Sequence, residues 1–137
     1  MKKENTNDTV RQSVRPLFSD LIKKAAEQID IREFSLNSPM LSDQAKELCA
    51  IIAEVYAMHP DTEICVCGER LYAGLVAEVF RCLTYEHVSL VLDNYNRATY
   101  AIRNKKLYLR TALYNSVFEL ASSIANEVSH DMYGGDK

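Results

Sequence analysis

Apolar residues recur at spacings of three and four through most of the chain, and this period predicts helices. The first stripe runs over residues 10–31, through Val14, Leu17, Phe18, Leu21, Ile22, Ala25 and Ile29, with Pro16 suited to a first turn. Phe34 to Leu41 contains Asn37-Ser38-Pro39 and reads as a connection. In the second helix Ser42 serves as N-cap, Asp43 suits the positive end of the helix dipole, and Ala45, Leu48, Cys49, Ile52, Val55 and Tyr56 point inward. His59-Pro60-Asp61 ends it.

The period then changes. Ile64-Cys65-Val66-Cys67 has strand propensity, and Gly68-Glu69 fits a two-residue turn with glycine first. That turn would set Val66 opposite Leu71 and Cys65 opposite Tyr72. A third helix over about 73–83 offers Leu75, Val76, Val79, Phe80 and Leu83. Thr84 caps a fourth, with His87 in its capping region and Val88, Val91, Leu92 and Tyr95 inside. The last helix runs from about Lys105 to Val128, with Leu109, Ala112, Leu113, Val117, Leu120 and Ile124 inside. The expected fold is mainly α: a compact bundle of about five helices with one small β-hairpin at about 63–72. Residues 1–9 are polar and read as a disordered tail, 10–31 as an amphipathic helix, and 32–134 as the helical domain.

Composition narrows the function. At 137 residues the chain fits one domain, and four glycines and three prolines are too few for a loop-rich all-β fold. A net charge of -3 excludes a generally basic nucleic-acid binder and leaves room for a local basic patch. The polar start lacks the apolar stretch of a secretory signal, and no run of about 18 apolar residues occurs, so the expectation is a cytoplasmic protein with no membrane partner. Cys49, Cys65, Cys67 and Cys82 lie in or beside apolar patterns and read as buried, reduced thiols rather than zinc ligands. Phosphate-binding loops, nucleophile elbows and His-x-x-x-His pairs are missing, so neither an enzyme, a cofactor, a metal nor a small-molecule substrate is expected. Glu47 and Glu54, about two turns apart, look solvent-facing.

The strongest local feature is basic. Arg97, Arg103, Lys105, Lys106 and Arg110 fall between Tyr95 and Arg110 without an intervening acid, interleaved with Tyr95, Tyr100 and Tyr108. Cations neutralise phosphates, aromatics stack on unpaired bases, and a helix starting near Asn104 would turn free N–H groups outward. The candidate nucleic-acid contacts are therefore Arg97, Arg103, Asn104, Lys105, Lys106 and Arg110. The plainer reading is a solvated helix junction whose tyrosines sit partly in the core, with Tyr108 packed on a neighbouring helix.

Glu86-His87-Val88-Ser89-Leu90-Val91-Leu92-Asp93, then Ile102-Arg103-Asn104, Tyr108-Leu109-Arg110-Thr111-Ala112-Leu113-Tyr114-Asn115 and His130-Asp131-Met132-Tyr133-Gly134 occur in this order. From about Ile29 to Gly134 the chain resembles the C-terminal domain of the replication initiator protein A family of plasmids and integrative conjugative elements. The Tyr-Leu-x-x-Ala-Leu segment is more loosely similar to DnaD-like primosomal domains. In the initiator family the domain follows a winged-helix initiator domain, which this sequence does not contain, so origin recognition is not carried over. Members of that family tend to have Ala-Pro after the Tyr-Asn pair. Ser116-Val117 stands there instead, and without proline the last helix can run on.

The resemblance implies a non-catalytic DNA-replication module of a bacterial mobile element. It would touch DNA through the basic junction or dock a replication protein. The alternative is an interaction or self-association domain without nucleic-acid binding, using the acidic second helix, which carries most of the five acids against one base in residues 36–68, and the N-terminal stripe.

Overall fold

The computed structural model describes residues 18–134, with side chains as far as 122. The expectations for residues 1–17, among them the polar tail and Pro16, and those for Ile124 and the His130-Asp131 side chains lie outside the described residues. Among the described residues, six helices and one two-stranded hairpin make a mainly α bundle, as the hydrophobic period predicts. In chain order they are α1 (18–28), α2 (Ile31–Asn37), α3 (Pro39–Ala57), β1 (Glu63–Val66), β2 (Glu69–Tyr72), α4 (Ala73–Phe80), α5 (Tyr85–Arg97) and α6 (Lys105–Gly134).

The first stripe does not run to Ile31 as one helix. Asp30 takes a left-handed conformation (φ 54°), which an aspartate tolerates better than most residues, and α2 begins directly after it. The expected connection over Phe34–Leu41 is therefore mostly helix. It covers the end of α2, the cap residue Ser38 and the start of α3. Ser38, not Ser42, caps α3: its hydroxyl accepts from the Met40 N–H, and Pro39 fills the first helical position. Ser42 is buried one turn further on and shares a 3.1 Å hydrogen bond with Ser35.

α3 is the central element. Ala45, Leu48, Cys49, Ile52 and Val55 are buried as expected, and Ile51 and Ala53 join them because helices flank α3 on several sides. Ala25 and Ile29 enter the same core, so the described end of the N-terminal stripe packs on the domain itself. Gln28 fastens it there. Its amide donates to the Phe80 and Leu83 carbonyls (2.7 and 2.9 Å) and its oxygen accepts from the Tyr56 hydroxyl at 2.9 Å. The Tyr108 ring packs on Tyr95 of α5, centroids 5.9 Å apart.

The hairpin stands where the sequence puts it, but its register is shifted by two residues. Val66 pairs with Glu69, Cys65 with Arg70 and Ile64 with Leu71. The turn is Cys67-Gly68, both with positive φ (57° and 75°), the pattern of a type I′ turn whose twist matches the strands. Tertiary contacts hold it: the Cys67 N–H donates to Thr111 Oγ1 (3.2 Å) and the Cys67 thiol to Asn115 Oδ1 (2.9 Å). Strand alternation also corrects the cysteines. Ile64 and Val66 face inward, so Cys65 and Cys67 face out. Cys82 is exposed after the end of α4, and only Cys49 is buried; all four are free.

Thr84 and His87 form a reciprocal capping box at the start of α5. The His87 Nδ1 accepts from the Thr84 N–H at 3.0 Å. α6 starts at Lys105 with the Asn104 side chain accepting from the Leu107 N–H, and it runs unbroken past Ser116-Val117 to Gly134.

Candidate functional site

Two different surfaces flank the first turns of α6. On the α3 side lie most of the candidate basic residues. Lys105 reaches Glu47 at 2.9 Å, and Lys106 reaches Glu54 at 2.6 Å. Arg110 approaches the same Glu54 carboxylate at 3.5 Å, its side chain only 12% exposed. Lys105 also lies over the Tyr95 ring, 5.5 Å from its centroid. The hydrogen bond to Glu47 raises the Lys105 pKa above its ordinary value. Arg97 is held on its own helix by Asp93 at 2.8 Å.

Glu47 is solvent-exposed as its helix position suggested, whereas Glu54 is half-buried. They are the counter-charges of the basic segment. The pairings are 58 and 52 residues apart in sequence, a separation that no local pattern reports. Four of the five cations are paired with carboxylates among the described residues. Arg103 is the one for which no ion pair is found there, and Asn104 is occupied as the cap of α6.

On the α5 side an open groove of about 500 Å³ follows α6. Its floor is one stripe of that helix: Asn104, Leu107, Tyr108, Thr111, Ala112, Asn115, Ser116 and Glu119. Leu90, Val91 and Asn94 of α5 form one wall, and Tyr100 to Arg103 close the end. The lining mixes apolar side chains with amides and hydroxyls, with Arg103 as its cation at one end and Glu119 as its anion at the other. Tyr100 beside Arg103 is 64% exposed and Phe118 beside Glu119 is 52% exposed. Sequence reading found Arg103 and Asn104 but not Leu107, Tyr100 or Glu119 as parts of one surface. The i, i+3, i+4 stripe from Asn104 to Glu119 is the signal that carries Leu107 and Glu119, whereas Tyr100 lies before the helix.

A second hollow, of about 790 Å³, lies across α5 between α2 and the start of α3, with Phe34, Met40 and Tyr85 among its lining. Among the described residues no group of three His, Cys, Asp or Glu side chains is placed to hold a metal ion, and no helix is long and apolar enough to cross a membrane.

Fold and surfaces together define a small helical domain with a grooved face beside a basic junction most of whose cations are paired. Over residues 2–135 the chain matches the model of DUF6017, a family of unknown function, and it belongs to that family. No curated protein and no solved structure matches it.

Proposed function

We propose that the domain is a non-catalytic docking module, working in the cytoplasm in the replication of a mobile element, with the α5–α6 groove as its working surface. The replication setting rests on the sequence resemblance to initiator C-terminal domains. The docking role rests on one observation: four of the five junction cations lie against Glu47, Glu54 and Asp93, while the neighbouring groove stays open, with Leu107 and Ala112 among amides and hydroxyls on its floor. A cation already paired releases less counterion when it meets a phosphate, so its contribution to DNA affinity shrinks.

Two variants separate docking from DNA contact. Leu107→Gln removes apolar floor from the groove at a residue outside the core cluster. Lys105→Gln/Lys106→Gln removes junction charge. Reversal of these lysines to Glu is a poorer choice, because it sets carboxylates against Glu47 and Glu54. The expected result is that maintenance of the encoding element fails with Leu107→Gln and survives the double glutamine. Fluorescence anisotropy with labelled DNA should show weak binding at most.

The DNA reading has its own support in the exposure of Arg97, Arg103, Lys105 and Lys106. On that reading three or four phosphates are engaged and the log–log salt slope on duplex DNA is roughly -3 to -4. Such a slope, lost in the double glutamine along with element maintenance, would overturn the docking role.

A further inference from the structure

We infer that the occupant of the groove is a second copy of this chain, laid antiparallel so that the two α6 helices are related by a two-fold axis. This deepens the docking reading and rests on it. A two-fold interface must be complementary to itself: whatever residue meets a second residue across it, the second must meet the first. The groove satisfies that condition in charge. Arg103 marks one end and Glu119 the other, and the helix between them, from Asn104 to Glu119, is about 22 Å long at 1.5 Å per residue. Reversing a second copy end to end brings each Arg103 to the other copy's Glu119, making the same ion pair twice. A copy laid parallel sets like charges together at both ends.

Shape agrees with charge. The midpoint between positions 103 and 119 is 111, and the floor there is Thr111 and Ala112, small side chains that let two helices approach closely. Tyr100 lines the groove at the Arg103 end, and the exposed Phe118, outside the lining and packed on Tyr114, precedes Glu119 at the other end. The same reversal brings Tyr100 of one copy toward Phe118 of the other, so each end carries an aromatic contact beside its ion pair. The one cation of the lining is also the basic residue of the junction for which no carboxylate is found among the described residues. It is available to a partner, whereas its neighbours are engaged.

The test is sedimentation of the full chain from about 1 µM to 1 mM, the range in which contacts of this size are read. The unaltered chain should pass from monomer to dimer as concentration rises. Arg103→Glu and Glu119→Arg should each weaken the dimer by about tenfold, since each change converts two attractions into two repulsions. Arg103→Glu/Glu119→Arg should restore it, because the exchanged charges pair again across the two-fold. Phe118→Ser should weaken it without any change of charge. A chain that stays monomeric throughout overturns the inference, as does a dimer indifferent to both single reversals or a double variant no better than the singles. Failure here differs from failure of docking. A monomer whose Leu107→Gln variant still loses element maintenance docks a different protein in the same groove.

Discussion

The two flanks of α6 begin from similar residues and end as opposites. On the α3 flank, three long cationic side chains fold back onto two carboxylates of a helix more than fifty positions away, and most of the charge there is paired. On the α5 flank, smaller and amide-bearing side chains leave a groove that nothing within the described residues fills. A charge cluster in sequence is thus a poor guide to a free charged surface. What decides is whether the opposing element carries counter-charges, and α3 carries them at Glu47 and Glu54. The groove is the reverse case: an inconspicuous stripe becomes a surface because the neighbouring helix stops short of covering it.

The largest effect should come from breaking the support that both flanks share. Leu113 is fully buried on the inner face of α6, within the span of the helix that carries both flanks. Leu113→Ala should cost about 2–5 kcal/mol in urea unfolding, through lost burial and the cavity left behind. If the two flanks are parts of one cooperative core, protection of α6 amides from exchange should fall on both together.

A smaller change should separate them. Glu54 holds two cations, one of them the nearly buried Arg110, whose Nε has no hydrogen-bond partner among the described residues. Glu54→Gln leaves that guanidinium without its counter-charge and should cost roughly 1–3 kcal/mol. Glu47 serves the more exposed Lys105, so Glu47→Gln should cost about 0–1 kcal/mol and less at high salt. Urea midpoints at low and high salt check both. Equal costs would mean that the junction is merely a set of surface pairs.

Much of the fold was legible because the signals were local. The Thr84–His87 box and the stripes of α3 and α5 lie within a turn or two of sequence, and each stands as expected. The errors came where two local signals competed. Asn37-Ser38-Pro39 looked like a loop, yet serine followed by proline is equally an N-cap followed by its favoured first residue, and the helix took it. In the hairpin, Gly68 suits the first place of one turn type and the second place of another. The contacts of Cys67 with Thr111 and Asn115, 44 and 48 residues away, accompany the observed choice. The exposure of Cys65 and Cys67 was implicit in strand alternation and was masked by the apolar composition of the segment. The groove could not be read, because its two walls meet only through the packing of α5 on α6.

Acid should loosen the groove wall while leaving the junction intact. His87 caps α5 as a neutral ring, and burial lowers its pKa below the ordinary 6.5, with Glu86 opposing. In the unfolded chain the same ring takes up a proton at its ordinary pKa. The unfolded state therefore binds more protons as pH falls below about 6.5, and the stability present above that value is lost progressively. Urea midpoints should drop between about pH 7.5 and pH 5.5. His87→Gln should flatten that part of the dependence, at a cost of about 1 kcal/mol at neutral pH for the lost cap. An unaltered slope in His87→Gln would place the titrating group elsewhere.

The finest comparison uses the thiols as reporters. Cys49 is buried, and burial pushes its thiol up to about 11, so it should ignore a thiol reagent until the chain unfolds. The other three are exposed and should react in the native protein, giving three fast equivalents and a fourth in denaturant. Cys67 and Cys82 stand in different places. Cys67 touches Asn115 on the groove floor, and burial there raises its thiol pKa, with Glu69 adding to the rise. Cys82 lies beyond the end of α4, its thiol directed to the Glu78 carbonyl, and lines neither side of the groove. Covering the groove should therefore slow Cys67 severalfold and leave Cys82 unchanged, since a reagent needs both a thiolate and a path to it. With the two rates measured separately in Cys65→Ser/Cys67→Ser and Cys65→Ser/Cys82→Ser chains over a concentration series, protection confined to Cys67 marks the groove as the contact surface. Equal slowing of both would mean that the chain associates through some other face, and no slowing of either would leave the groove open to solvent at every concentration tried.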